Sequence, residues 1–330
     1  MSSAAKRYLI TGFSGFVSAH FIEHINGLRN NADVLGVDIS EPDFEPGRYN
    51  NINIEFSMLD LLDTGRVKEA ILKFRPDFVL HLASFSSVAF SWKNPVVSFR
   101  NNTNIFLNLL EALRETGMNC RVLSIGSSEE YGIEEKSDIP LSESAPLHPV
   151  SPYAAARVSQ ELLSMIYSSG YGLDIVMTRS FNHFGPGQKD IFAVPSFAKQ
   201  LTRIKKQNRK EGILHVGNPD VVRDFIDVRD VVKAYYRLLE NGRNGQIYNV
   251  CAGRNISIRE IIGLMADYLG VKVELRTENS LIRPNDNPVI VGNNKKIRDE
   301  LGWQPEIPME KSIADICDYW MERDEKDNAL

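Results

Sequence analysis

Apolar runs of strand length alternate with helix-period stretches through the first half of the chain. RYLITG (7–12), ADVLGVD (32–38), FVLHLAS (78–84), CRVLSIGSS (120–128) and DIVMTRSFN (174–182) are short and rich in branched side chains, as strands buried on both faces are. Between them, FVSAHFIEHING (16–27), TNIFLNLLEALRETG (103–117) and SPYAAARVSQELL (151–163) read as helices. This alternation predicts right-handed βαβ units, hence a doubly wound α/β fold with a parallel sheet covered by helices. Past Asn182 the pattern loosens: Gly185, Pro186 and Gly187 break the chain, a helix is expected over VPSFAKQLTRIKKQ (194–207), and loop-rich sequence follows Thr277. The expected organisation is a Rossmann domain from 1–178 and 226–253, interleaved with a smaller C-terminal substrate-binding lobe from 179–225 and 254–330.

Composition narrows the function classes. The 330 residues are 43% hydrophobic and 25% charged, with 38 basic against 43 acidic side chains and a formal net charge of -5. That balance gives no basic field for generalised nucleic-acid or membrane-surface binding. No apolar run approaches the roughly 20 residues of a membrane helix, and the apolar part of MSSAAKRYLI is too short for a secretory signal, so a cytoplasmic protein is expected. Cys120, Cys251 and Cys317 are far apart, odd in number and without metal-ligand spacing, so free thiols and no metal site are expected. The charge run Lys205 to Lys210 reads as a solvated helix end.

Candidate chemistry begins at LITGFSGFV, where Thr11, Gly12 and Gly15 come directly after the first strand and before a helix, and Ser14, Phe16 and Val17 join them as candidate cofactor contacts. Small residues let the backbone approach a pyrophosphate, and a helix N-terminus offers it N–H groups and a positive dipole end. VLGVD ends in Asp38, placed to accept hydrogen bonds from the adenosine ribose and to repel a 2'-phosphate. NAD is therefore expected rather than NADP, with Arg48 in the following loop as the one residue that argues the other way. Ser18 stands where a third glycine is common and is small enough to change little.

The ordered motifs TGFSGFV, HLAS, GSSEEYG and PYAAAR resemble those of the extended short-chain dehydrogenase/reductases that act on nucleotide sugars, and the match runs from about Arg7 to the C-terminal helix. Within that family, RSFNHFGPGQ (179–188) and VVRDFIDVRDVV (221–232) look most like the reductases of GDP-4-keto-6-deoxy sugars. The resemblance implies that Asp60, Leu61, Leu82, Ala83 and Ser84 also line the cofactor. It implies contacts to the GDP-sugar from Ser128, Glu129, Asn182, Arg223 and Arg283, and a homodimer built through a four-helix interface.

Reducing a sugar ketone leaves negative charge on its oxygen, so a proton donor and an orienting hydrogen bond are needed there. Tyr153 is the expected donor and Ser127, at the end of CRVLSIGSS, the expected orienting hydroxyl. A free tyrosine has a pKa of about 10 and needs a nearby cation to serve as an acid/base. The family's lysine supplies that cation, but this chain has Arg157, which keeps the charge and changes the shape. Replacement of Arg157 by lysine is expected to preserve turnover unless neighbouring side chains have adjusted to the larger group. Glu129 has the spacing of a dehydratase base and is read as a substrate contact, with the base role open. Asp227, Arg229 and Asp230 are either a structural ion network or ligand contacts, and His183 is expected to be a hydrogen-bonded loop residue. The expected activity is NAD(P)H-dependent reduction of a GDP-4-keto-6-deoxyhexose. GDP-mannose 4,6-dehydration, chemistry on another nucleotide sugar, and non-catalytic nucleotide-sugar binding are the alternatives, the last motivated by Arg157.

Overall fold

The computed structural model describes residues 5–44, 46–133, 138–282, 284–285 and 287–323. Its first half runs β1 (Lys6–Thr11), α1 (Phe16–Gly27), β2 (Ala32–Asp38), β3 (Ile52–Met58), α2 (Thr64–Phe74), β4 (Phe78–His81), α3 (Val88–Lys93), α4 (Pro95–Thr116), β5 (Arg121–Ser127), α5 (Pro152–Tyr171) and β6 (Asp174–Ser180). The chain continues through β7 (Asn182–Phe184), α6 (Ala193–Lys206), β8 (Glu211–Val216), β9 (Val222–Arg223), β10 (Phe225–Asp227), α7 (Val228–Asn241) and β11 (Ile247–Val250). It closes with β12 (Ile256–Ser257), α8 (Ile258–Leu269), β13 (Lys272–Thr277), β14 (Val289–Ile290), α9 (Lys295–Leu301) and α10 (Met309–Glu322).

Seven strands form one parallel sheet in the order β11-β6-β5-β4-β1-β2-β3. All carboxyl ends therefore share one edge, which carries Thr11, Asp38, His81, Ser127 and Ser180. Strand order reverses between β1 and β4, and in open α/β sheets the crevice outside such a switch point is where ligands bind. β3 was not among the expected strands, although Ile52, Ile54 and Phe56 alternate with polar residues. At the sheet edge its burial also alternates, so it lacks the continuous apolar run of the central strands.

One core lies between the sheet, α1 and α7 around Ile10, Phe21, Val231 and Tyr235, and takes in Ile297 and Trp303. The opposite face packs Leu9, Val79, Ile71, Phe106, Leu109 and Ile175 beneath α2, α4 and α5. A separate cluster joins α6, α8 and α10 through Phe197, Leu201, Ile262, Met265, Ile313 and Ile316. The two- and three-stranded pairings β10-β7, β12-β9-β14 and β13-β8 belong to this second part of the chain.

Asp227, Arg229 and Asp230 form structural ties. Asp227 caps α7 at Arg229 N (2.8 Å), binds the Arg229 guanidinium at 2.8 and 2.6 Å and accepts from Ser312 Oγ of α10 at 2.6 Å. Asp230 accepts from the backbone N–H groups of Glu306 and Ile307, each at 2.8 Å. The cysteines are buried free thiols. Among the described residues no helix is long and apolar enough to cross a membrane.

Candidate active site

The turn after β1 brings the backbone against the next strand's loop. Gly12 has φ +70°, and a Cβ there would lie 2.6 Å from Ala83 N, so only glycine fits. Thr11 Oγ1 accepts from Ala83 N at 3.3 Å and bonds His81 Nδ1 at 2.8 Å, which ties β1 to the segment Leu82, Ala83 and Ser84. No side chain caps α1 at Gly15, so its first N–H groups are left for a ligand. Phe16 stacks on His183, with centroids 5.8 Å apart, and His20 bonds Pro186 O at 2.8 Å, so the 183–187 loop covers the start of this helix.

Asp38 accepts from Ser14 N at 2.9 Å and from Ile39 N at 2.7 Å, which fixes its carboxylate beside the glycine turn. Arg48 does not reach toward it: its guanidinium lies over the Tyr49 ring at 4.9 Å and donates to Tyr49 Oη at 2.8 Å. Asp60 accepts from Leu62 N at 2.9 Å, and Leu61 O accepts from Asn108 Nδ2 at 3.0 Å, so both lie in an ordered turn after β3. Val17, in the first turn of α1, packs against the core beneath the sheet. Ser18 is fully buried there, with its hydroxyl unbonded.

Tyr153 and Arg157 share one face of α5. Ser151 starts this helix by accepting from Ala154 N at 3.1 Å, and Pro152 occupies the first helical turn, where its missing N–H costs nothing. Arg157 Nε donates to Tyr153 Oη at 3.2 Å, and the guanidinium also lies over that ring. Its other nitrogens donate to Ile125 O (2.9 Å), Gln160 Oε1 (2.6 Å) and Ser84 Oγ (2.5 Å). The neighbours thus accommodate a guanidinium, which is the condition under which lysine is not expected to serve as well at this position. The titratable groups facing it are Tyr153 on its own helix, His81 from β4, Glu130 after β5 and Tyr235 from α7. Burial, with the Arg157 charge adding to it, pushes the His81 imidazole down to about 3, so it is neutral.

Ser127 ends β5 and caps a 3-10 turn, Ser128–Glu130. Its Oγ accepts from Glu129 N at 3.3 Å, which leaves the hydroxyl hydrogen to donate to a ligand oxygen. Ser128 is buried and Glu129 half-buried on this turn. Glu130 turns inward: it is fully buried, accepts from Ser127 N at 2.6 Å, and has its second oxygen unbonded. Burial, reinforced by the neighbouring Glu161 charge, holds its carboxyl well above the usual carboxylate range. Gly126 makes room for it, since a Cβ there would lie 2.4 Å from Glu130 Oε1.

On the other side, Asn182 begins β7 and pairs with Phe225 of β10, while the buried Arg223 lies on β9 and donates to Val222 O at 2.9 Å. His183 Nδ1 bonds Phe181 O at 3.1 Å, the loop role expected for it. Arg283 lies outside the described residues. Sequence reading passed over Gln160, Glu130 and His81. Gln160 was accessible to it, because it lies three residues from Arg157 on the same helical face.

A family model described as GDP-mannose 4,6 dehydratase matches residues 9–316. The chain belongs to that family, within the extended short-chain dehydrogenase/reductases. It is 34% identical to the GDP-6-deoxy-D-mannose reductase of Pseudomonas aeruginosa, over 96% of this chain and 98% of the relative. Among solved structures, RMD from Pseudomonas aeruginosa complexed with NADPH superposes with a TM-score of 0.82 at 32% identity, covering 96% of this chain and 99% of that one. The UDP-glucose 4-epimerase of Thermus thermophilus in complex with NAD gives 0.83 at 28% identity, over 98% and 100% of the two chains. Family members thus combine one sheet and one dinucleotide turn with reductase, dehydratase and epimerase chemistries, and the side chains above the carboxyl edge must separate them.

Proposed function

We propose that this chain is an NAD(P)H-dependent reductase of the 4-keto group of a GDP-4-keto-6-deoxyhexose. The observation that carries the reading is the Tyr153 hydroxyl, held at 3.2 Å by a buried guanidinium in a chain alike from end to end to a GDP-6-deoxy-D-mannose reductase. The dinucleotide, when bound, supplies the hydride. Tyr153 gives its proton to the ketone oxygen, Arg157 favours the phenolate left behind, and the Ser127 hydroxyl orients the same oxygen. Ser128, Glu129, Asn182, Arg223 and Arg283 are assigned to the nucleotide sugar, the arginines to its phosphates because their planar fork spans two oxygens.

Gly12, Ser14, Gly15, Phe16 and Val17 would meet the pyrophosphate, Asp38 the adenosine ribose, and Thr11, Asp60, Leu61, Leu82, Ala83 and Ser84 the remainder of the cofactor. Asp38 beside the turn, with Arg48 engaged by Tyr49, favours NADH, whereas the relative with NADPH favours the phosphorylated form. We assign NADH, with binding several-fold tighter than NADPH in a fluorescence titration. The lobes we assign are the sheet with its flanking helices and the part centred on α6, α8 and α10. A homodimer through α4 and α5 is part of the proposal. Val96, Val97 and Phe99 on one helix and Leu162, Met165 and Ile166 on the other are exposed on these neighbouring helices, and light scattering at micromolar concentration should return twice the chain mass. We assign the reaction to the cytoplasm, where reduced nicotinamide cofactors are available.

The test is incubation with GDP-mannose alone, and with its 4-keto-6-deoxy derivative plus NADH or NADPH. The expected product gains one hydride and one proton by mass while the reduced-cofactor absorbance falls. Loss of water from GDP-mannose with no net cofactor change would establish the dehydratase instead.

A further inference from the structure

We propose that Gln160 is a positioning residue that aims the Arg157 guanidinium at Tyr153, and that residues 84, 125 and 160 together form a guanidinium-specific seat. The inference deepens the reductase reading and rests on it. Gln160 is 1% exposed and has both ends of its amide committed. Its Oε1 accepts from Arg157 Nη1 at 2.6 Å, while its Nε2 donates to Ser124 Oγ at 2.9 Å and to Ile125 O at 3.1 Å. Arginine only donates, so the oxygen of the amide must be the atom that faces it, and the orientation is fixed by the network. Ser164 braces the far end: its Oγ donates to Gln160 O at 2.9 Å and is hydrogen-bonded to the Ser124 hydroxyl at 3.0 Å.

The seat matches the shape of its occupant. Four of the five N–H groups of a guanidinium are engaged, one by Tyr153, two by Ile125 O and Gln160, and one by Ser84. These acceptors surround a planar fork in directions that a single ammonium on a flexible stem cannot satisfy together. All are formally neutral, so the positive charge is held without being cancelled. Removal of the Gln160 acceptor would free Nη1 and let the plane rotate about its stem, moving Nε off the phenolic oxygen.

Two variants test this, each alone and combined with Arg157→Lys, with kcat/KM for ketone reduction measured across pH. Gln160→Leu should lower kcat/KM about tenfold, the scale of one lost charge-assisted hydrogen bond. Gln160→Glu keeps the shape but sets a carboxylate against Nη1. It should cost at least as much and move the alkaline limb of the profile to higher pH, because the cation then supports the phenolate less. In the Arg157→Lys background the Gln160→Leu loss should shrink to less than about threefold, since Gln160 aims the guanidinium and not an ammonium. A structural role would instead lower the melting temperature, leave the limb where it was, and give equal losses in both backgrounds. Should Gln160→Leu fail to fold, Gln160→Glu carries the test alone. Activity within about twofold of the parent and an unmoved limb in Gln160→Glu would overturn the proposal. If the parent reduces no GDP-sugar, the ionisation of Tyr153 is followed by phenolate absorbance, as the difference between parent and Tyr153→Phe. A shift to higher pH in Gln160→Glu then supports the positioning role while the reductase reading falls, and no shift overturns the positioning role as well.

Discussion

Arg157 and Arg179 are nearly equally buried, 5% and 3% exposed, and both bond to partners on or beside α5, yet their charges meet different company. Arg179, on β6, binds Glu161 of α5 through both carboxylate oxygens at 2.9 and 2.8 Å, donates to Glu143 O at 3.1 Å and lies over the Tyr131 ring. Its charge is cancelled where it stands, and what remains is a strut between helix and sheet. Arg157 has only neutral acceptors, and Glu130 nearby is held toward its protonated form by burial. In the proposed reaction its field is left to act on the one acceptor that would change charge, the Tyr153 oxygen. A paired buried arginine organises the fold, whereas one in a neutral seat can support chemistry.

The largest expected effect tests the active half of this contrast. Tyr153→Phe removes the proton donor and should cost about 10²–10⁴-fold in kcat/KM. Arg157→Ala should fall toward the same floor and move the alkaline limb of the pH profile upward, with the protein still folded by circular dichroism. The double variant should be little worse than Tyr153→Phe, because the two groups act as one unit. Full additivity in kcat/KM would break the link between guanidinium and phenol.

The structural half predicts the reverse pattern. Glu161→Gln leaves the Arg179 charge buried without its counter-ion and should destabilise the fold by about 3 kcal/mol, the scale for breaking one side of a buried pair. Urea unfolding reads this directly. Under native conditions the folded variant should keep kcat/KM within about threefold of the parent, since Glu161 bonds Arg179 and neither Tyr153 nor Arg157. A displaced pH profile in Glu161→Gln would mean that both arginines feed the same site.

How much of this was legible follows from how local each feature is. The glycine turn and Asp38 could be read because a strand, a tight turn and a helix N-terminus are adjacent in sequence and their chemistry is mostly backbone chemistry. Tyr153 and Arg157 could be paired from helical spacing, but the arginine's accommodation could not be foreseen. Two of its acceptors come from residues 84 and 125, brought beside α5 only when β4 and β5 pair within the sheet. Glu130 was hidden by its neighbour. In SSEE the spacing drew attention to Glu129, and only the turn geometry shows that the second glutamate faces the interior. Asp227 and Asp230 stayed ambiguous for a similar reason, since their partners Ser312, Glu306 and Ile307 lie some eighty residues away.

The smallest expected effect sharpens the contrast most, because it asks whether Glu130 leaves the Arg157 charge uncancelled. In the folded state burial, with Glu161 adding to it, raises the Glu130 carboxyl above its ordinary range, while in the unfolded chain it titrates as a free glutamate. Between those two values the folded state binds more protons than the unfolded state, so stability contributed by this group is full below the unfolded value and declines as pH rises toward the folded one. Glu130→Gln keeps the shape and an oxygen to accept from Ser127 N, but it cannot ionise. Its urea midpoint should therefore gain on the parent's as pH is raised from about 5.5 to about 9. A difference independent of pH would mean that Glu130 is ionised throughout, that Arg157 has a carboxylate neighbour after all, and that the two buried arginines are more alike than their hydrogen bonds make them.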